Sequence, residues 1–163
     1  MDFEAFWKLI EASKRGAGDC EEQSEQLIAS LKKLSPEEIA SFDRLFQARR
    51  IEAYTWNLWG VAYLVNGGCS DDGFDYFRGW LIAQGRKRFE AAIKDPESVV
   101  SFAEPDECEC EDILSAAAQA YEESTGQPLP ASDVRSPEEP VGSQWEEEDL
   151  ERLFPKAAKK YLV

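Results

Sequence analysis

The 163-residue sequence predicts an all-α fold: a single-domain, irregular helical bundle around a buried, aromatic-rich central helix, with a C-terminal helical segment after a proline-rich loop. Three observations carry that reading. Apolar residues recur at intervals of three and four along most of the chain, while strict alternation is nearly absent. Ser or Asp followed three residues later by Glu marks several helix starts, and glycine marks several ends. Apolar residues make up 43% of the chain and aromatic ones 12%, which is ordinary for a globular domain of a size that buries its own core.

Phe3, Phe6, Trp7 and Ile10 stand at helical spacing, so the chain opens with an amphipathic helix ending near Gly16. Asp19 with Glu22 reads as a capping pair for a second helix, whose stripe is Leu27, Leu31 and Leu34. Ser35-Pro36-Glu37-Glu38 places a Ser cap, a Pro in the first turn and a Glu three positions on, ahead of Ile39, Phe42 and Phe46. From Ile51 to Val65 apolar residues surround a helix on every side, which marks it as the central one. Asn66-Gly67-Gly68 ends it, and Ser70 starts the next helix, running to about Gln84. A further helix spans Arg86 to Lys94, and Asp95-Pro96-Glu97 opens a short turn leading to Val99. Asp106 and Glu109 read as the cap of a helix with the stripe Cys110, Ile113, Leu114, Ala117 and Tyr121, closed by Gly126.

The organisation that follows is a helical core over residues 1–126, a loop or linker over 127–145 with four prolines, and a C-terminal segment over 146–163. Ser143 and Glu146 cap that segment, and Leu150, Leu153, Phe154, Ala157, Ala158 and Tyr161 give it an apolar stripe interrupted by Pro155. A stripe that regular is expected to dock on the core.

Charge is unevenly placed. The net formal charge is −15, of which residues 1–94 carry −2 and residues 95–163 carry −13. No Lys or Arg stands between Asp95 and Val134. Such a surface repels nucleic acid and anionic lipid and attracts a cationic partner, so direct nucleic-acid binding is not expected. Arg86-Lys87-Arg88 is a plain helix surface rather than a phosphate contact. No apolar run approaches the roughly 20 residues that span a bilayer, and no export signal is visible, so a cytoplasmic protein without a membrane segment is expected.

The chain has no histidine, which removes Ser-His-Asp triads, Cys-His pairs and His-ligated metals. Its cysteines are Cys20, Cys69, Cys108 and Cys110. Reduced thiols are the expectation for a chain without an export signal, and Cys108-Glu109-Cys110 is too closely spaced for a zinc knuckle. Neither a metal nor a cofactor is expected.

The densest polar and aromatic stretch runs from Gly67-Gly68-Cys69-Ser70-Asp71-Asp72 through Phe74-Asp75-Tyr76-Phe77-Arg78-Gly79-Trp80 to Gly85. With the upstream Trp56-Asn57-Leu58-Trp59-Gly60-Val61-Ala62-Tyr63-Leu64, it resembles an uncharacterised bacterial family of unknown function, over about residues 1–125. That resemblance implies a small helical domain and brings no activity, substrate or catalytic residue.

On a helix from Asp71, Phe74, Tyr76, Phe77, Trp80 and Leu81 share one broad arc, and Asp71, Asp72, Asp75 and Arg78 the opposite one. The bland reading makes the aromatics core, the charges a solvated face, and Ser70, Asp71 and Asp72 a cap for the positive helix end. The functional reading takes Ser70, Asp71, Asp72, Asp75, Arg78 and Gly79 as a candidate binding site. There Gly79, costly inside a helix, admits a ligand or another backbone. Two functions follow. The first is a non-catalytic acidic interaction or regulatory module, inhibitor- or immunity-like, that binds a basic protein partner. The second is an enzyme or small-molecule binder using the Asp71, Asp72, Asp75 and Arg78 cluster. The charge distribution and the missing catalytic groups favour the first.

Overall fold

In a computed structural model of the protein, residues 1–162 are described. Helix α1 (Phe3–Lys14) starts where the Asp2 carboxylate accepts the Ala5 N–H at 2.8 Å, and it turns Phe6, Trp7 and Ile10 inward. Helix α2 (Cys20–Leu31) starts at Asp19, which accepts from the Glu22 N–H at 2.9 Å. Helix α3 (Pro36–Glu52) has the expected Ser35–Glu38 capping box. Caps of this kind are each worth about 1 kcal/mol.

The expected continuous helix over 51–65 is two pieces. Helix α3 stops at Glu52, and α4 (Trp56–Asn66) begins anew with the Thr55 hydroxyl accepting the Leu58 N–H at 3.1 Å. The physical reason lies far along the chain. Val141 donates to the Tyr54 carbonyl and accepts from the Trp56 N–H, both at 3.0 Å, so the backbone of this turn pairs with a distant strap instead of a helix. Gly67, at φ +65, ends α4 in the left-handed conformation that glycine accepts most readily.

Helix α5 (Asp71–Ala83) is the most deeply set, with Phe74, Phe77, Trp80, Leu81 and Ile82 all buried. Six rings run through the molecule in contact: Trp56, Trp59, Phe74, Phe77, Trp80 and Phe102, with successive centroids 5.1–6.4 Å apart. That spacing is the range in which aromatic pairs add to simple burial. Helix α6 (Arg86–Lys94) and a 3-10 turn over Pro96–Ser101 follow, the turn capped by Asp95 as expected.

Asp106 and Glu109 do not cap a helix. Asp106 sits at φ +67 in an irregular segment, and the next regular structure is a 3-10 turn, Asp112–Ser115, running into α7 (Ala116–Thr125). Within that segment Glu107, Glu109 and Glu111 are exposed while Cys108 and Cys110 are buried. The Cys110 N–H donates to the Tyr76 carbonyl at 2.9 Å, so a distant helix takes a donor that a local helix would have used.

Residues 127–145 form a strap lying against the turn between α3 and α4, ending in Trp145. Trp145 packs edge-on against Trp56, Trp59 and Tyr63, and its indole N–H donates to the Trp56 carbonyl at 2.6 Å. Helices α8 (Leu150–Leu153) and α9 (Pro155–Tyr161) follow, parted at Pro155. Both helices lie against α4, which is notched at Gly60. A Cβ there would lie 2.5 Å from the Phe154 ring, 3.0 Å from Trp145 and 3.1 Å from Leu150. The expectation of four reduced thiols is not met either: Cys20 and Cys110 form a disulfide with Cα atoms 5.5 Å apart, while Cys69 and Cys108 are free. Ninety positions of separation hide that pairing from any local reading of the sequence. Among the described residues no helix is long and apolar enough to cross a membrane.

Candidate functional site

The segment Ser70–Gly79 separates into inward and outward parts. Ser70 is spent on the helix start, its hydroxyl accepting the Gly73 N–H at 3.1 Å. Gly79 admits another backbone, that of this same chain: a Cβ would sit 2.8 Å from the Cys110 carbonyl oxygen. Arg78, expected on a solvated face, is only 6% exposed. Its guanidinium lies 4.5 Å from the Tyr54 ring and 4.8 Å from the Phe74 ring, and it donates to the Arg50 carbonyl at 3.0 Å. The aromatic neighbours one turn back and from the α3–α4 turn cover it. Burial lowers the Arg78 pKa, and Asp75 pulls it back up. The Asp75 carboxylate takes Arg50 at 2.6 Å and Arg78 at 3.3 Å, and so ties α3 to α5. Beside this cluster the free space is about 80 Å³, walled by Arg50, Arg78, Val134 and Ser136. Small-molecule sites typically offer roughly 300–1,000 Å³.

Asp71 and Asp72 stay outside, in the first turn of α5, where the positive helix end tempers their repulsion. Asp71 faces the Tyr54 phenol, whose pKa is raised first by burial and then by that carboxylate. The acidic segment 107–111 meets them. The Glu109 carboxylate comes within 3.9 Å of where a Gly73 Cβ would stand, at the start of α5. Tyr76 has its pKa raised chiefly by Glu111, with burial, Asp72 and Asp75 contributing. Cys69, beneath, is pushed up to about 12 by burial and the Glu109 charge. Asp71, Asp72, Glu109 and Glu111 therefore share one acidic face drawn from two parts of the chain. No sequence motif marks Glu109, Glu111 and Tyr76 as a site, although the alternation Glu107-Cys108-Glu109-Cys110-Glu111 signals one face out and one face in.

A cleft of about 450 Å³ opens beside this face, between the α1–α2 turn, the end of α5 and residues 106–110. Lys14, Gln23, Trp80 and Gln84 line it, with Cys20 and Cys110 on its wall and Asp19, Asp106, Glu107 and Glu109 around it. The buried Gln23 amide donates to the Ala83 carbonyl at 2.9 Å and to the Ser13 hydroxyl at 3.3 Å, which fixes α2 against α1 and α5. Burial and the nearby Arg88 lower the Lys14 pKa. Among the described residues no three Cys, Asp or Glu side chains converge well enough to hold a metal ion, so the carboxylates are spread over a surface rather than gathered into a cage.

Compared with known proteins, residues 1–123 match a family model described as protein of unknown function, DUF4240. No curated protein and no solved structure matches the chain.

Proposed function

We propose, on the premise that the chain belongs to the DUF4240 family of proteins of unknown function, that it is a non-catalytic interaction module whose acidic face receives a basic protein partner. One observation carries the reading: the first turn of α5 and the segment 107–111 bring Asp71, Asp72, Glu109 and Glu111 to one face, while nearby Arg78 is turned into the core. Dispersed carboxylates suit dispersed Lys and Arg on a protein, and they speed association more than they deepen affinity. The protein is then a regulator or inhibitor acting from the cytoplasm. The small space beside Asp75 and Arg78 gives little support to the rival reading of that cluster as a small-molecule site.

The test is capture of partners from a lysate at about 50 mM and about 500 mM salt, where screening lengths differ about threefold. The reading expects a basic partner that is retained at low salt and released at high salt. Capture indifferent to salt, or of partners without a basic surface, would overturn it.

A further inference from the structure

We propose that Cys20 and Cys110 form a thiol–disulfide exchange site: a dithiol enters the cleft beside α2, attacks the Cys20 sulfur, and so unlocks the acidic segment 104–109 from α2. The inference is independent of the partner reading. It begins with what the bond joins. Cys20 is the first residue of α2, in the nearly neutral part of the chain, and Cys110 ends the segment that carries Glu104, Asp106, Glu107 and Glu109.

Access decides which sulfur is attacked. Cys20 is half-buried on the cleft wall, whereas Cys110 is 2% exposed and lies against α5 at Gly79. Cys110 is therefore the leaving group. The buried Ser24 hydroxyl stands 4.0 Å from the Cys20 sulfur and 3.9 Å from the Cys110 sulfur, a donor placed for the thiolate that departs. No internal thiol replaces the external reagent: burial pushes both Cys69 and Cys108 up to about 12, so both stay protonated.

The electrons balance simply. One thiolate of the dithiol bonds to the Cys20 sulfur as the Cys20–Cys110 bond breaks, and the Cys110 thiolate takes up a proton. The second thiol of the reagent then displaces Cys20, which is protonated in turn. Two electrons and two protons pass to the protein pair, and the reagent leaves as its own disulfide.

Unlocking is local because other ties remain at both ends of the segment. Lys160 donates to the Val100 carbonyl at 2.7 Å and the Ala103 carbonyl at 3.3 Å, and the Cys110 N–H holds the Tyr76 carbonyl. Between them Asp106 keeps a left-handed backbone, φ +67, that a non-glycine residue leaves readily once its frame loosens.

The experiment treats the oxidised full-length protein with graded dithiothreitol under native conditions, alkylates it, maps the labelled cysteines by mass, and follows amide exchange in parallel. Before reduction, Cys20 and Cys110 should resist alkylation. After it, Cys20 should label at least about tenfold faster than Cys110, and exchange at 104–109 should rise about tenfold while α4 and α5 are unchanged. In Cys110→Ser, Cys20 should label at the rate of the reduced wild type. Alkylation of both cysteines before reduction, equal labelling after it, reduction only on global unfolding, or a uniform rise in exchange would each overturn the proposal.

Discussion

Arg78 is a charged side chain held inside the fold, 6% exposed, over the rings of Tyr54 and Phe74. Helical periodicity puts it on the polar arc of α5, and periodicity carries no information about Tyr54, which arrives from the α3–α4 turn to cover it. Its removal leaves Asp75 still paired with Arg50, but it strips two aromatic rings of their cation and orphans the Arg50 carbonyl. Arg78→Ala is expected to cost about 2–4 kcal/mol by chemical denaturation. Asp72→Asn, on the exposed first turn, should change stability by less than about 0.5 kcal/mol. One buried and two half-buried weak acids make a second residue-level prediction. Cys69 and Cys108 are raised from 9.0 to about 12, and Tyr161, whose hydroxyl donates to the Ala103 carbonyl, from 10.0 to about 12, all by burial first. A folded-state pKa above the unfolded value gives stability that is whole below the unfolded pKa and lost as pH rises through the folded one. The melting temperature should therefore fall between about pH 9 and pH 12, and Cys108→Ala should flatten that fall. A melting temperature constant to pH 11 would count against these burials.

At the scale of elements, most helix starts and stops were legible, because caps are local chemistry: Asp19, Ser35, Ser70, Gly67 and Gly126 all act where the sequence places them. What was not legible is set by partners distant in sequence. The α3–α4 break depends on Val141, the irregular run 104–111 on Tyr76 and Cys20, and the placing of Trp145 on the notch at Gly60. Of the candidate site, the aspartates of α5 were legible, but their companions Glu109 and Glu111 were not, since only the fold brings the two segments together. The notch yields a test. Gly60→Ala would drive a methyl group into the Phe154 ring, an overpacking that costs about 1–3 kcal/mol. Limited proteolysis should then cut the strap and the segment around α8 several times faster than in the wild type, with α5 still protected. Unchanged cutting would mean that Trp145, Leu150 and Phe154 do not hold this segment down.

At the scale of the molecule, the fold sorts charge. Arg50, Arg78 and Asp75 satisfy one another between α3 and α5, whereas Asp71, Asp72, Glu109 and Glu111 are left with few local counter-charges. Keeping like charges together is unfavourable for a monomer on its own, and the helix end relieves it only in part. A basic partner would relieve the rest. The most direct measurement is side-by-side capture by the wild type and by Glu107→Lys/Glu109→Lys/Glu111→Lys. Glu122→Lys/Glu148→Lys/Glu151→Lys serves as a control with the same change in net charge, and all three proteins are first shown to melt cooperatively. The acidic-face account predicts that the first variant loses the basic partner while the control retains it. Equal capture by both variants, or equal loss from both, would contradict it.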